Sequence, residues 1–304
     1  MRPSARRGTV RALKWSGIAA ATIIGLIALG VAGVYAVSSA QLGKRYVDQV
    51  PPVAVGHDSA SIARGSHLMH AVLPCAECHG EDLGGKVLID RPFMAVLSAP
   101  NLTRAGLGSQ LSDADFVRAI RYGVAPDGRS LLVMPSAVFY YLSDSDLAAV
   151  VAYVKSAPAA SHPLKPTTVG PLARALLVAG KLHPERASMN LAAERPQPAP
   201  AVSAAYGKYL VKIATCRHCH GPSLAGGPPA DNPNAPPAAN ITPEGIGRWT
   251  EADFRTALVE GKRPDGSRLN PFMPVRMYRN MTNDEIAAIW MYLKTVPPKP
   301  YGTR

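Results

Sequence analysis

The longest apolar run of the chain lies near its start. From Ile18 to Val37 come twenty mostly apolar residues, and no charged residue stands between Lys14 and Lys44. Twenty helical residues match the ≈ 30 Å hydrocarbon core of a bilayer. The pattern predicts a membrane-spanning helix over residues 15–40, with Trp15 and Tyr35 where interfacial aromatics belong. A cleaved signal peptide with a small-residue site near Ala36–Ala40 is the competing reading, but its apolar part usually runs only 7–15 residues. Pro51-Pro52 opposes helix beyond this, so residues 41–58 are expected to form an extended tether.

Downstream the apolar spacing becomes that of short amphipathic helices separated by turns. Ser59 to Leu73 opens the series and leads into Cys75. A Gly-containing loop and a long irregular stretch then run to Asn101-Leu102-Thr103. Ser112 begins a helix with acids in its first turn, which includes Phe116 and Ile120 and stops at Gly123. Pro126-Asp127-Gly128 makes a turn. Ser143 starts a last helix with Leu147, Val150, Val151 and Val154 on one face, and Pro158 ends it.

The plan recurs in order. Asn240-Ile241-Thr242 answers Asn101-Leu102-Thr103, Thr250 to Phe254 answers Ser112 to Phe116, and Gly261 answers Gly123. Pro264-Asp265-Gly266 repeats the turn, and Thr282 to Glu285 repeats the last cap as a capping box. The short stretch NPNAPPAA (Asn232–Ala239) replaces a longer loop of the first copy. An internal duplication is the economical explanation. It divides the chain into a basic tail (1–14), an anchor (15–40), a tether (41–58), a first domain (59–157), a linker (158–203) and a second domain (204–304). The linker is expected to be ordered and packed across both domains; it contains a basic amphipathic piece, Pro171 to His183.

Charge sharpens this picture. The chain of 304 residues carries a formal +12. Residues 1–14 hold five positive charges and no negative one, residues 58–156 carry about −2, and residues 206–304 about +5. The positive flank keeps the tail cytoplasmic and places everything after Val37 outside. No basic stripe with interleaved aromatics appears, which argues against nucleic acid.

The chemistry sits at the start of each copy. Cys75-Ala76-Glu77-Cys78-His79 and Cys216-Arg217-His218-Cys219-His220 use all four cysteines of the chain, and Gly follows each. C-x-x-C-H marks covalent attachment of c-type haem. On one helical turn, thiols three residues apart share a face and reach both vinyl groups of a porphyrin, while the adjacent His offers itself to the iron. A single zinc site would need all four thiols to converge and leave both histidines idle. A disulfide between residues three apart would be strained. Two haem c groups are therefore expected, on Cys75, Cys78 and His79 and on Cys216, Cys219 and His220.

The duplication also exposes a distal ligand. Met134-Pro135 and Met273-Pro274 each lie nine residues before the final cap, 55 and 53 residues after their proximal histidines. Met94 lacks a counterpart, and Met69, Met277, Met281 and Met291 read as core. His67 and His70, opposite Lys208 and Val211 in the second copy, read as surface or packing residues, and His57, His162 and His183 as solvated. His79 and Met134, and His220 and Met273, would saturate both irons. Thioether ligation favours Fe(II), and a saturated iron carries electrons rather than binding a substrate.

With these motifs, the chain resembles the membrane-anchored dihaem c-type cytochromes related to the cytochrome c subunits of periplasmic alcohol and other dehydrogenases. The resemblance rests on CAECHG and CRHCHG, NLT and NIT, GVAPDGR and GKRPDGS, VMP and FMP, and the closing LSDSDLAAVVAYVKS and MTNDEIAAIWMYLKT, over residues 59–297. It implies an all-α fold of two tandem class I cytochrome c domains after one transmembrane helix, with the four ligands above. It further implies a single-pass protein of the bacterial inner membrane with its haem domains on the periplasmic side. Electrons would pass from a dehydrogenase or quinol-linked donor toward a terminal oxidase or soluble cytochrome, with no catalytic residue of its own. Those subunits often carry three haems and a C-terminal anchor, unlike this chain. The alternative is a dihaem redox enzyme of peroxidase or thiosulfate-dehydrogenase type, which needs an open iron or a spare Cys ligand.

Overall fold

The computed structural model describes residues 4–47, 50–229 and 235–303. Residues 1–3 of the tail, 48–49 of the tether and 232–234 of the NPNAPPAA stretch lie outside the described residues. Helix α1 (Ser4–Gly43) is one continuous rod that extends past the expected anchor at both ends. Its segment Leu13–Gly43 is long and apolar enough to cross a membrane, and none of its most apolar window is buried within the protein. Ile24, Leu26, Ile27 and Leu29 stand exposed, so the helix finds no protein partner for its apolar surface there. A helix that is apolar on all sides is stable where lipid covers it.

The first domain comprises α2 (Ser59–His67), a π turn (Leu68–Val72), α3 (Cys75–His79), strands β1 (Lys86–Arg91) and β2 (Ala95–Ala99), α4 (Leu107–Gln110), α5 (Asp113–Tyr122), α6 (Ser136–Phe139) and α7 (Asp144–Ser156). Local chemistry sets the boundaries. Asp58 caps α2 by accepting the amides of Ala60 and Ser61. Ser112 and Asp115 form a reciprocal capping box on α5, which stops at Gly123, held at φ +64°. The linker supplies β3 (Thr168–Val169), α8 (Pro171–Val178) and a short 3₁₀ turn (Glu185–Ser188). The second domain repeats the helices as α9 (Ala204–Ile213), α10 (Cys216–His220), α11 (Pro243–Ile246), α12 (Glu251–Glu260), α13 (Val275–Tyr278) and α14 (Asn283–Thr295).

The expected all-α character holds apart from one small sheet. The stretch between the first haem motif and Asn101, read from sequence as irregular, folds as an antiparallel hairpin with a register shift between Val87 and Ile89. Linker residues Thr168–Val169 pair with Val96 and Ala95 and complete the order β1-β2-β3. Val87-Leu88-Ile89 and Val96-Leu97 are strand formers separated by Pro92 and a tight turn, so the signal was present in short runs.

In both domains the first and last helices cross at a glycine. A Cβ on Gly65 would lie 1.9 Å from the Ala149 carbonyl oxygen, and one on Gly207 would lie 1.8 Å from that of Ala288. These glycines align the copies structurally and correct one sequence-based correspondence. Gly65 precedes Cys75 by ten residues, whereas Gly207 precedes Cys216 by nine. The first copy takes up its extra residue in the π turn Leu68–Val72. His67 therefore corresponds to Tyr209 rather than to Lys208.

The two domains share one apolar core, with Leu68, Leu73, Leu147, Leu210, Ile286 and Leu293 all essentially buried. A polar cluster sits at their junction. Arg64 donates from Nε to Asp146 at 3.0 Å, from Nη1 to Glu285 at 3.2 Å and from Nη2 to the Tyr206 hydroxyl at 3.0 Å. His67 Nε2 meets Glu285 at 2.8 Å, and in the mirrored contact Tyr209 donates its hydroxyl to Asp146 at 2.6 Å. The surface and packing role expected for His67 is thus an interdomain one. His57 and His162, expected to be solvated, pair with Asp113 at 3.1 Å and Asp82 at 2.8 Å. Met291, expected in the core, is 42% exposed.

The linker differs from expectation as well. Among the described residues its long-range hydrogen bonds run to the first domain and the anchor, and only Ser203, at its end, bonds the second domain by capping α9. Ser98 Oγ donates to Lys165 O, Asn101 Nδ2 to Ala160 O, Ala137 N to Glu185 and Asp144 N to Gln197. Helix α8 packs on the end of α1, where Arg174 Nη1 bonds Ser38 and Ser39 and its guanidinium covers the Tyr35 ring.

Candidate haem sites

Each C-x-x-C-H segment is a single helical turn, α3 or α10, that ends at a glycine with positive φ, Gly80 at +85° and Gly221 at +77°. The turn closes on the glycine amide side through Gly85 N to His79 O at 2.8 Å and Gly226 N to His220 O at 2.9 Å. Both thiols of a copy thus come from one rigid turn, with the His as its last residue. Desolvation raises the free thiols of Cys75 and Cys216 to about 12. Among the described residues, no group of three or more His, Cys, Asp or Glu is placed to hold a metal ion. The four thiols sit in pairs, one pair per domain, and the zinc alternative loses its geometric basis.

The proximal histidines are held alike. His79 Nδ1 lies 2.9 Å from Pro100 O, and His220 Nδ1 lies 2.7 Å from Ala239 O. A carbonyl can only accept, so Nδ1 carries the proton and Nε2 is left with its lone pair. Desolvation also pushes both imidazoles below their ordinary pKa, against the opposing pull of those carbonyl bonds. A neutral imidazole with a fixed tautomer is what a metal requires.

Those carbonyls are themselves positioned, by residues whose role the sequence left unassigned. Asn101 Oδ1 accepts Thr103 N at 2.8 Å and Thr103 Oγ1 at 2.7 Å, while its Nδ2 donates to Ala160 O at 2.6 Å. Asn240 does the same with Thr242 and Lys299 O, at 2.9, 2.7 and 2.7 Å. The repeated N-x-T triplets thus lock the carbonyl immediately before them. Their recurrence was the signal available in the sequence; only the fold shows that the preceding carbonyl meets the His.

The distal candidates occupy one turn conformation in both copies. Pro135 has φ −78° and ψ 57°, and Pro274 has φ −78° and ψ 58°. Ser136 N donates to Met134 O at 2.8 Å, and Val275 N to Met273 O at 2.7 Å. Both methionines are partly buried against the core. In the first domain Met134 lines a cavity of about 870 Å³ together with Cys75, Cys78 and His79, and Leu97, Phe116 and Ile120 are among its apolar walls. Its volume falls within the ≈ 300–1,000 Å³ range of cofactor sites. Two thiols, one neutral imidazole, one thioether and an apolar lining make a donor set that fits haem c. The haem would supply a one-electron Fe(III)/Fe(II) couple.

Comparison with known proteins identifies the family. The family model for cytochrome c matches twice, at residues 62–158 and 204–297. The cytochrome c subunit of alcohol dehydrogenase (quinone) from Gluconobacter oxydans is 29% identical to the chain, over 81% of the chain and 56% of that protein. The fructose dehydrogenase cytochrome subunit of Gluconobacter japonicus is 27% identical, over 82% of the chain and 55% of that protein. The gluconate 2-dehydrogenase cytochrome c subunit of Pantoea cypripedii is 28% identical, over 80% of the chain and 61% of that protein. The chain spans a little over half the length of these curated relatives. It belongs to the cytochrome c family, as two tandem domains that each carry a covalently bound haem c and serve electron transfer.

Proposed function

We propose that this protein is a membrane-anchored dihaem electron carrier that takes electrons from a periplasmic dehydrogenase and delivers them to a downstream cytochrome or oxidase. Cys75 and Cys78 attach the first haem, with His79 and Met134 as axial ligands. Cys216 and Cys219 attach the second, with His220 and Met273. The observation that carries this reading is the matched pair of sites: both histidines are fixed through Nδ1 to a carbonyl, and both Met-Pro turns share one backbone conformation. A site that commits two protein ligands leaves no coordination position for peroxide or another substrate.

The dehydrogenases named for the relatives act on alcohol, fructose and gluconate, and what they share is a cytochrome subunit. That supports a catalytic dehydrogenase subunit as the donor. The α1 helix, with five positive charges in residues 1–14, supports single-pass insertion with the tail cytoplasmic and the haem domains outside. The more acidic first domain and the basic second domain offer different fields to donor and acceptor.

Replacing one methionine at a time tests the ligand assignment. Met134→Ala and Met273→Ala should each abolish one of the two far-red thioether-to-iron charge-transfer bands and lower the midpoint potential of that haem alone. A wild-type protein in which one haem lacks that band and reacts with peroxide would overturn the carrier reading in favour of an enzyme.

A further inference from the structure

The cavity of the first domain carries a charge pattern that the axial ligands do not explain. Among the described residues its charged lining side chains are Arg129 and Arg174, and no Asp or Glu lines it. Two cations on a largely apolar cavity call for anions brought by the occupant. A haem has two propionates, on the porphyrin edge opposite the two vinyl positions that the thiols of Cys75 and Cys78 would capture.

The two arginines are not equivalent. Arg129 is well exposed, and its Nε is already bonded to Asp127 at 2.6 Å. Arg174 is half-buried on α8, and no carboxylate is bonded to it among the described residues. Its Nε donates to Val169 O at 3.1 Å, and its Nη1 reaches Ser38 and Ser39 Oγ at 2.9 and 3.0 Å. Ser39, Leu42 and Gly43, from the end of α1, line the same cavity. Neither arginine has a counterpart at its own position in the second copy. Ser267 stands where Arg129 does in the paired turns GVAPDGR and GKRPDGS, and α8 belongs to the linker.

We propose that Arg174 binds a propionate of the first haem, with Arg129 as the weaker second partner, and so ties that haem's carboxylate edge to the end of the membrane helix. The first haem is then the membrane-side one, and its potential depends on a residue that the anchor holds in place. Because this rests on the haem assignment above, the test must separate the two.

The experiment is a spectroscopic redox titration of the full-length, detergent-solubilised holoprotein carrying Arg174→Gln, Arg174→Lys or Arg129→Gln. Removing a positive charge beside an iron that gains net charge on oxidation favours the oxidised form. Arg174→Gln should therefore shift the first haem's equilibrium roughly tenfold toward Fe(III), a fall of about 59 mV for a one-electron couple, with the second haem unmoved. Arg174→Lys should retain most of the wild-type value, and Arg129→Gln should shift it less than Arg174→Gln. Unchanged midpoints in Arg174→Gln would overturn the proposal. So would a Lys variant that falls as far as the Gln variant, or equal shifts at both haems, since those indicate packing alone. Loss of the Met band in the wild-type protein would instead count against the ligand assignment, while the Arg174 shift would remain readable.

Discussion

Replacing Arg64 with Ala removes the residue that holds the two domains' buried carboxylates together. Its guanidinium reaches Asp146 of its own domain and Glu285 of the other, and these side chains are only 9% and 4% exposed. Stripping the partner from a buried carboxylate costs about 3–5 kcal/mol. Two features lower that figure here. The Arg64 side chain is 27% exposed, so water already screens part of the attraction. Each carboxylate also keeps another donor: Tyr209 hydroxyl for Asp146 at 2.6 Å, and His67 at 2.8 Å with Thr282 N at 3.0 Å for Glu285. About 2–3 kcal/mol of lost stability is expected. Urea unfolding of the holoprotein, followed by far-UV circular dichroism and by the haem Soret band, measures it. The two domains should unfold as one unit in the wild type, because they share a core, and with reduced cooperativity in Arg64→Ala. A loss below about 0.5 kcal/mol with unchanged cooperativity, in the range of an ordinary surface substitution, would refute the reasoning.

Other expectations follow from the same geometry. Gly207→Ala forces a methyl against the Ala288 carbonyl at 1.8 Å and Tyr292 Cβ at 2.9 Å, so it should cost about 1–3 kcal/mol or more in thermal unfolding. For acid stability, burial raises the Glu285 carboxyl, but bonds from His67 and Thr282 and the charge of Arg64 outweigh it and hold the pKa below 4.5. The stability it contributes is therefore complete above 4.5 and lost as pH falls through the folded-state value. Glu285→Gln should flatten the acid limb of a stability-versus-pH curve below about pH 5. Asn101→Ala should release the carbonyl that fixes His79, destabilising the first domain by about 1–2 kcal/mol and altering the spectrum of the first haem only.

Much of this protein was readable in one dimension. The two C-x-x-C-H turns, the capping residues at Ser112, Thr250 and Thr282, and the anchor are local features. A cap needs only a hydroxyl and an amide three residues on, and a span needs only length and apolarity. The Met-Pro pairs became legible because the duplication supplied a second example of the same register. The third strand of the sheet was not legible, because β3 lies about seventy residues from its partner and contributes only Thr168 and Val169. Nothing local marks two residues as a strand.

Sequence alone therefore determined two haem attachment turns, an ordered set of helices and a helix suited to lipid, all through interactions spanning a few residues. Tertiary structure decided what those turns face. Pro100 and Ala239 meet the histidines because a loop some twenty residues away returns to them, and backbone carbonyls leave no trace in residue identity. His67 reads as an ordinary surface residue until Glu285, more than two hundred residues on, closes against it. Arg174 belongs to a segment that reads as a linker, yet it lines the first cavity beside the end of the anchor. Distance in sequence hides such contacts because packing, rather than chain connectivity, brings the partners together.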